Sequence, residues 1–101
     1  MRTIKLGLIS GRHELPVDAY ILQEVTDLTD LPGIHISVYQ SLDTLLKNID
    51  SDDFVELYVT GLTSVTIEAI QYLIEHKIVY KSMHFDRDTG GYIEQPGLTR
   101  I

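Results

Sequence analysis

The stretch Phe54-Val55-Glu56-Leu57-Tyr58-Val59-Thr60-Gly61-Leu62-Thr63-Ser64 limits the possible folds more than any other part of the chain. Val55, Leu57 and Val59 alternate with Glu56 and Tyr58, as in a strand with one fully buried face. Gly61 then supplies the positive φ, or the close backbone approach, that a side chain would forbid. Residues 65–76 follow as a helix, with Thr63 or Ser64 as its N-cap and no proline or glycine to interrupt it. A helix that starts at such a turn leaves backbone N–H groups facing the mouth of the turn, beside the hydroxyls of Thr60, Thr63 and Ser64. An anionic or polar ligand fits there.

A second strand and glycine turn stand at the beginning of the chain. Ile4-Lys5-Leu6-Gly7-Leu8-Ile9 alternates apolar with small or polar residues and runs into Ser10-Gly11-Arg12-His13. Ligands of open α/β sheets collect outside the carboxyl ends of strands, so Ser10, Gly11, Arg12 and His13 are expected to share one crevice with Thr60, Gly61, Leu62, Thr63 and Ser64. The competing reading makes Ser10-Gly11 a plain chain reversal and Arg12-His13 a solvated tip.

Between these units, residues 16–25 satisfy either a helical face (Val17, Tyr20, Ile21, Val25, Leu28) or a strand over 20–25. The strand is preferred because residues 26–33 are turn-rich and 34–39 alternate as the second arm of a hairpin would. On that reading His35 is an exposed strand residue. Ser41 would cap a short helix over 42–49, whose Leu42, Leu45, Leu46 and Ile49 recur at helical spacing. Asp50-Ser51-Asp52-Asp53 lacks the alternation, central glycine and late glutamate of a calcium loop and is expected to be a solvated turn.

The helix over 65–76 should bury Val65, Ala69, Tyr72 and Leu73. Ile67, Ile70 and Ile74 widen its apolar arc, which implies cover from more than one side, by another element or another subunit. Residues 78–85 then form a strand. A turn over 86–91 leads to Tyr92-Ile93-Glu94 as a terminal β-hairpin, and about 97–101 are a tail or an arm. Together these elements predict one α/β domain over 1–101, with a mixed, mostly parallel sheet, two main helices and a C-terminal hairpin.

Composition removes several functions. With 101 residues there is room for one core. A formal charge of −7 speaks against wrapping duplex nucleic acid, whose affinity comes largely from lysine and arginine on phosphate. There is no cysteine, hence no disulfide scaffold, thiolate metal site or thiol nucleophile. No apolar run approaches the ~18 residues of a membrane span, and the N-terminus lacks signal-peptide character, so a cytoplasmic protein is expected. No metal site is expected, because His13, His35, His76 and His84 lack ligand spacing. No cofactor fingerprint, Walker loop or nucleophile elbow is present either.

What remains is His84-Phe85-Asp86-Arg87-Asp88-Thr89-Gly90-Gly91-Tyr92. Arg87 can fork onto phosphate or carboxylate, Phe85 or Tyr92 can stack on a base, and His84 and Asp86 add polar contacts. The plainer alternative is a hairpin turn whose aspartates bracket Arg87. The order strand, glycine turn, helix, strand and Asp-x-x-x-Gly-Gly hairpin, over residues 58–92, resembles the nucleotide-sensing part of small CRISPR-associated proteins of the CARF-like and ring-nuclease-like kind. It is similar too to viral counter-defence proteins that sequester or degrade such signals. The resemblance implies a homodimer that holds a cyclic nucleotide of the cyclic oligoadenylate kind at the dimer seam, over the loops that follow the strands.

The function expected from the sequence is therefore binding of a nucleotide-derived signalling molecule in a homo-oligomer, without turnover. One rival is a metal-independent phosphodiesterase with His13 or His84 as acid or base. The other is a module that docks another protein through its apolar helix arc.

Overall fold

A computed structural model describes residues 1–11, 14–25 and 27–99. The chain runs β1 (Thr3–Ile9), β2 (Ala19–Leu22), α1 (Leu31–Leu45), β3 (Phe54–Val59), α2 (Thr63–Glu75), β4 (Tyr80–Phe85) and β5 (Tyr92–Pro96). The five strands form one sheet in the order β2-β1-β3-β4-β5. β1 pairs in parallel with β2 and β3, β3 in parallel with β4, and β4 antiparallel with β5. This is the expected mixed, mostly parallel α/β domain with two helices and a closing hairpin.

Handedness then sets the layers. Both helix crossovers, β2 to β3 and β3 to β4, step the same way across the sheet, so right-handed connections place both helices on one face, where they touch. The link from β1 to β2 steps the other way and crosses the opposite face. In register, Leu6, Leu57 and Ser82 point toward the helices, while Gly7, Tyr58 and Met83 point away. The helix-facing core contains Leu6, Leu8, Val55 and Leu57 from the sheet, Ile34, Val38 and Leu42 from α1, and Val65, Ala69, Tyr72 and Leu73 from α2. All four α2 residues expected to be buried are buried. Tyr58, Met83 and Glu56 are buried as well, so β3 is covered on both faces instead of one.

The second face is held by pairs across strands. The Lys81 ammonium lies 3.3 Å from the Glu56 carboxylate and 2.7 Å from that of Glu94, and 5.7 Å from the centre of the Phe54 ring. Next to this polar row the Tyr58 and Tyr92 rings meet edge to face at 5.0 Å. A Cβ at Gly7 would lie 2.7 Å from the Tyr20 ring and 3.3 Å from Leu15. Gly7→Ala is therefore expected to displace Tyr20 and cost about 1–2 kcal/mol, measurable as a lowered midpoint in urea with an unchanged slope.

Several expectations are corrected. Residues 34–39 are not a hairpin arm but belong to α1, which starts earlier: Pro32 occupies its first turn and the Asp30 carboxylate accepts from the Gly33 amide at 3.1 Å. Ile34, Val38 and Leu42 are buried at helical spacing, whereas Ile36 is 54% exposed. A strand with Ile34, Ile36 and Val38 on one face would have buried all three. His35 is accordingly an exposed helix residue, and its Nδ1 meets the Glu68 carboxylate of α2. Ser41 caps nothing; it lies inside α1 and its hydroxyl donates to the Ile21 carbonyl. The helix expected over 42–49 is thus the end of α1, which stops at the C-cap Leu46. The preferred strand in 16–25 exists as β2, four residues long and parallel to β1. Leu98 is no loose tail: it packs on the core and its carbonyl accepts from the Tyr80 amide at 3.0 Å. Residues 100–101 lie outside the described residues.

The acidic turn also differs from a merely solvated loop. Asp53 is 3% exposed and its carboxylate accepts from the Asp50 amide at 3.0 Å, the Arg2 amide at 2.7 Å and the Arg2 guanidinium at 2.9 Å. The Asp50 amide, then Arg2, hold its carboxyl down at about 2 from an ordinary 3.8, against burial that pushes it up. The folded chain therefore keeps this carboxylate ionised at a pH where the unfolded chain has already taken up the proton. Its stabilising contribution is complete above pH ~4 and disappears as the pH falls through ~2. Acid titration followed by circular dichroism should show this loss in the wild type. Asp53→Asn is expected to be less stable at neutral pH and to lack that part of the acid dependence.

Candidate ligand-binding crevice

The carboxyl ends of β3 and β4 open onto a crevice of about 380 Å³ bordered by Glu14, Leu15, Val59, Thr60, Phe85 and Tyr92. This lies in the size range of small-molecule sites. One wall comes from the β1–β2 connection on the helix-free face. That wall is anchored: the Asp18 amide donates to the Lys5 carbonyl at 2.8 Å and the Lys5 amide to the Asp18 carboxylate at 2.8 Å, with the Val17 amide on the Leu15 carbonyl at 2.9 Å. The opposite wall is the β4–β5 hairpin, where the Phe85 and Tyr92 rings meet at 5.7 Å. Tyr92 is braced from behind by Tyr58. Phe85 is 59% exposed, so its ring is open to a ligand.

The hairpin turn is built by Asp86. Its carboxylate accepts from the Asp88 amide at 3.2 Å and the Thr89 hydroxyl at 2.9 Å, and its carbonyl accepts from the Gly90 amide at 2.8 Å, with Gly90 at φ +75°. Asp86 is thereby occupied in holding the turn. Arg87, at the tip, is exposed and makes no hydrogen bond or ion pair among the described residues. His84 points to the helix-facing side of the sheet, opposite Phe85, and its Nε2 lies 2.7 Å from the Gln95 amide oxygen.

Thr60 leads from the crevice into Gly61, at φ +83° with open space where a Cβ would stand. The α2 N-cap is Leu62, one residue before Thr63, and no side chain caps the helix. Thr63 and Ser64, expected as caps, are instead the first two residues of α2. The first-turn amides of α2 thus have no side-chain cap, next in the chain to a crevice-lining residue. Thr66 turns inward, donating its hydroxyl to the Leu62 carbonyl at 2.8 Å.

The structure therefore brings Thr60 to the crevice, sets the α2 start beside it in sequence and puts Arg87 on the hairpin that forms one wall. Ser10 borders a separate depression with Ile9, Gln23, Glu24, Val25 and Leu28. Its amide donates to the Leu22 carbonyl at 2.9 Å. Gly11 follows, exposed and at φ +83°. Arg12 and His13 lie outside the described residues. Glu14, Leu15 and Val59 line the crevice although none was expected as a site residue, Val59 being read only as part of the strand; Leu15, an isolated apolar residue after a glycine turn, was the signal available.

A second concentration of titratable groups fills the α1–α2 seam. The His35 and Tyr39 rings lie 4.2 Å apart, Tyr39 and Tyr72 5.1 Å, and Tyr72 and His76 3.9 Å. The Tyr72 hydroxyl donates to Asp43 at 2.7 Å. Burial, and after it the Glu75 carboxylate, pushes the Tyr39 hydroxyl up to about 12. These side chains bind the helices to each other. The carboxylates of Asp50, Asp52 and Asp53 also converge, but Asp53 is committed to Arg2.

The fold defines a class, a small α/β domain with a mostly parallel sheet, both helices on one face and a ligand-sized crevice at the strand ends. No protein-family model, curated protein or solved structure matches the chain. No described helix is long and apolar enough to cross a membrane.

Proposed function

We propose that the chain is a binding protein for a small nucleotide-derived ligand, held at the carboxyl ends of β3 and β4. The observation that carries this reading is the pair of adjoining aromatic rings, Phe85 and Tyr92, on one wall of an open crevice that continues in sequence into the uncapped start of α2. Rings take the flat face of a base; unpaired helix amides take a phosphate. Arg87, at the hairpin tip and without a partner among the described residues, is a cation available to neutralise it.

A signalling nucleotide, cyclic or oligomeric, is the ligand to which the CRISPR-associated resemblance points. A homo-oligomer fits the same reading, because Ile36, Ile67 and Ile74 stand more than half exposed on the outer faces of the helices. Hydrolysis has less support: His84 is engaged with Gln95 on the far face, and no described histidine lines the crevice.

Calorimetry with mononucleotides and with cyclic di- and oligonucleotides tests the proposal. Saturable heat with at least one of them, and no product formed, is the expected result; absence of heat with all of them would remove the reading.

A further inference from the structure

Glu14 is the only charged group among the described residues that line the crevice. It is exposed and makes no hydrogen bond or ion pair among the described residues. A carboxylate accepts hydrogen bonds and donates none, and a formal charge of −7 over the chain adds to the negative field. The part of a ligand lying between the rings and Glu14 must therefore present hydrogen-bond donors, which on the edge of a base stacked on the rings are N–H groups, and the phosphate must point away from Glu14.

Base edges differ in how they meet two carboxylate oxygens. Guanine offers N1–H and the 2-amino group side by side, two parallel donors for two acceptors. Adenine and cytosine each offer one amino group next to an unprotonated ring nitrogen, whose lone pair opposes the second oxygen. Uracil offers a single N–H between two carbonyls. Building on the nucleotide reading above, we infer that the crevice takes the base of a guanine nucleotide and that Glu14 is the residue that selects it. Phe85 and Tyr92 cover the ring, while Leu15 and Val59 supply its apolar surroundings.

Titration calorimetry with GMP, IMP and AMP, on the wild type and on Glu14→Gln, tests the inference. IMP keeps N1–H and lacks the 2-amino group, so it removes one donor without changing the ring system. GMP is expected to bind about tenfold more tightly than IMP or AMP, and Glu14→Gln is expected to lose that preference, with GMP weakened and AMP, whose amino group and ring nitrogen match an amide, no weaker than before. Because Glu14 is exposed, and unpaired among the described residues, the variant should keep the wild-type circular dichroism spectrum. Equal affinity for the three nucleotides, or a preference that survives Glu14→Gln, overturns the inference and leaves nucleotide binding intact. No heat with any nucleotide removes both, and heat with choline alone would reassign the crevice to an organic cation held by Glu14 and the rings.

Discussion

Leu57→Ala is expected to destabilise the protein by about 3 kcal/mol, with a Tm roughly 15 °C lower. Leu57 is fully buried at the middle of β3, the central strand, with β1 on one side and β4 on the other. Its side chain points at the helices, so truncation opens a hole where sheet and helices meet, and hydrogen-bonded strands on both sides hinder collapse of the backbone into it. Leu31→Ala is the control: it removes the same apolar volume from a residue that is 55% exposed. That substitution should stay within about 0.5 kcal/mol. Urea denaturation of the two variants compares them directly; equal losses would mean that the core is not where the fold places it.

Phe85→Ala is expected to weaken ligand binding roughly 30-fold, or about 2 kcal/mol, while leaving the fold intact. The ring is 59% exposed and contributes little to the core, so its value to the free protein is small. Tyr92→Ala removes the second ring but also an edge-to-face partner of Tyr58, so it should lower stability as well as affinity. The contrast separates a ring kept for a ligand from a ring kept for packing. Calorimetry gives the affinities and thermal unfolding the stabilities; a Phe85→Ala variant that binds as the wild type does would show that this ring does not touch the ligand.

The units legible in the sequence are those in which one local pattern had no competitor. Val55 and Leu57 followed by Gly61, and the stripe Val65, Ala69, Tyr72 and Leu73, can only be satisfied by a strand, a turn and a helix. The β4–β5 hairpin announced itself through Asp86 and Gly90 in the same way. The α1 region failed because Ile34, Ile36 and Val38 fit a period of two as well as a helix with one apolar residue left outside. Pro32-Gly33 was read as a turn, although Asp30 followed by Pro32 also signals a helix start. The pairing of Asp53 with Arg2 joins residues 51 positions apart, and no local pattern encodes it. The crevice was half legible for the same reason. Thr60, Phe85 and Tyr92 stood out as residue types, but the wall carrying Glu14 and Leu15 reaches them only because the β1–β2 link crosses the helix-free face. That placement follows from strand order and handedness, which appear only once the sheet is assembled.

Titration of ¹⁵N-labelled protein with GMP, followed by two-dimensional NMR, tests the location of the site most directly. The account predicts saturable shifts at the amides of Glu14, Leu15, Thr60, Gly61, Thr63, Phe85 and Tyr92, with the α1–α2 seam around Tyr39 and Tyr72 unmoved. Shifts confined to that seam or to the Asp50–Asp53 turn, with the crevice amides silent, would contradict it.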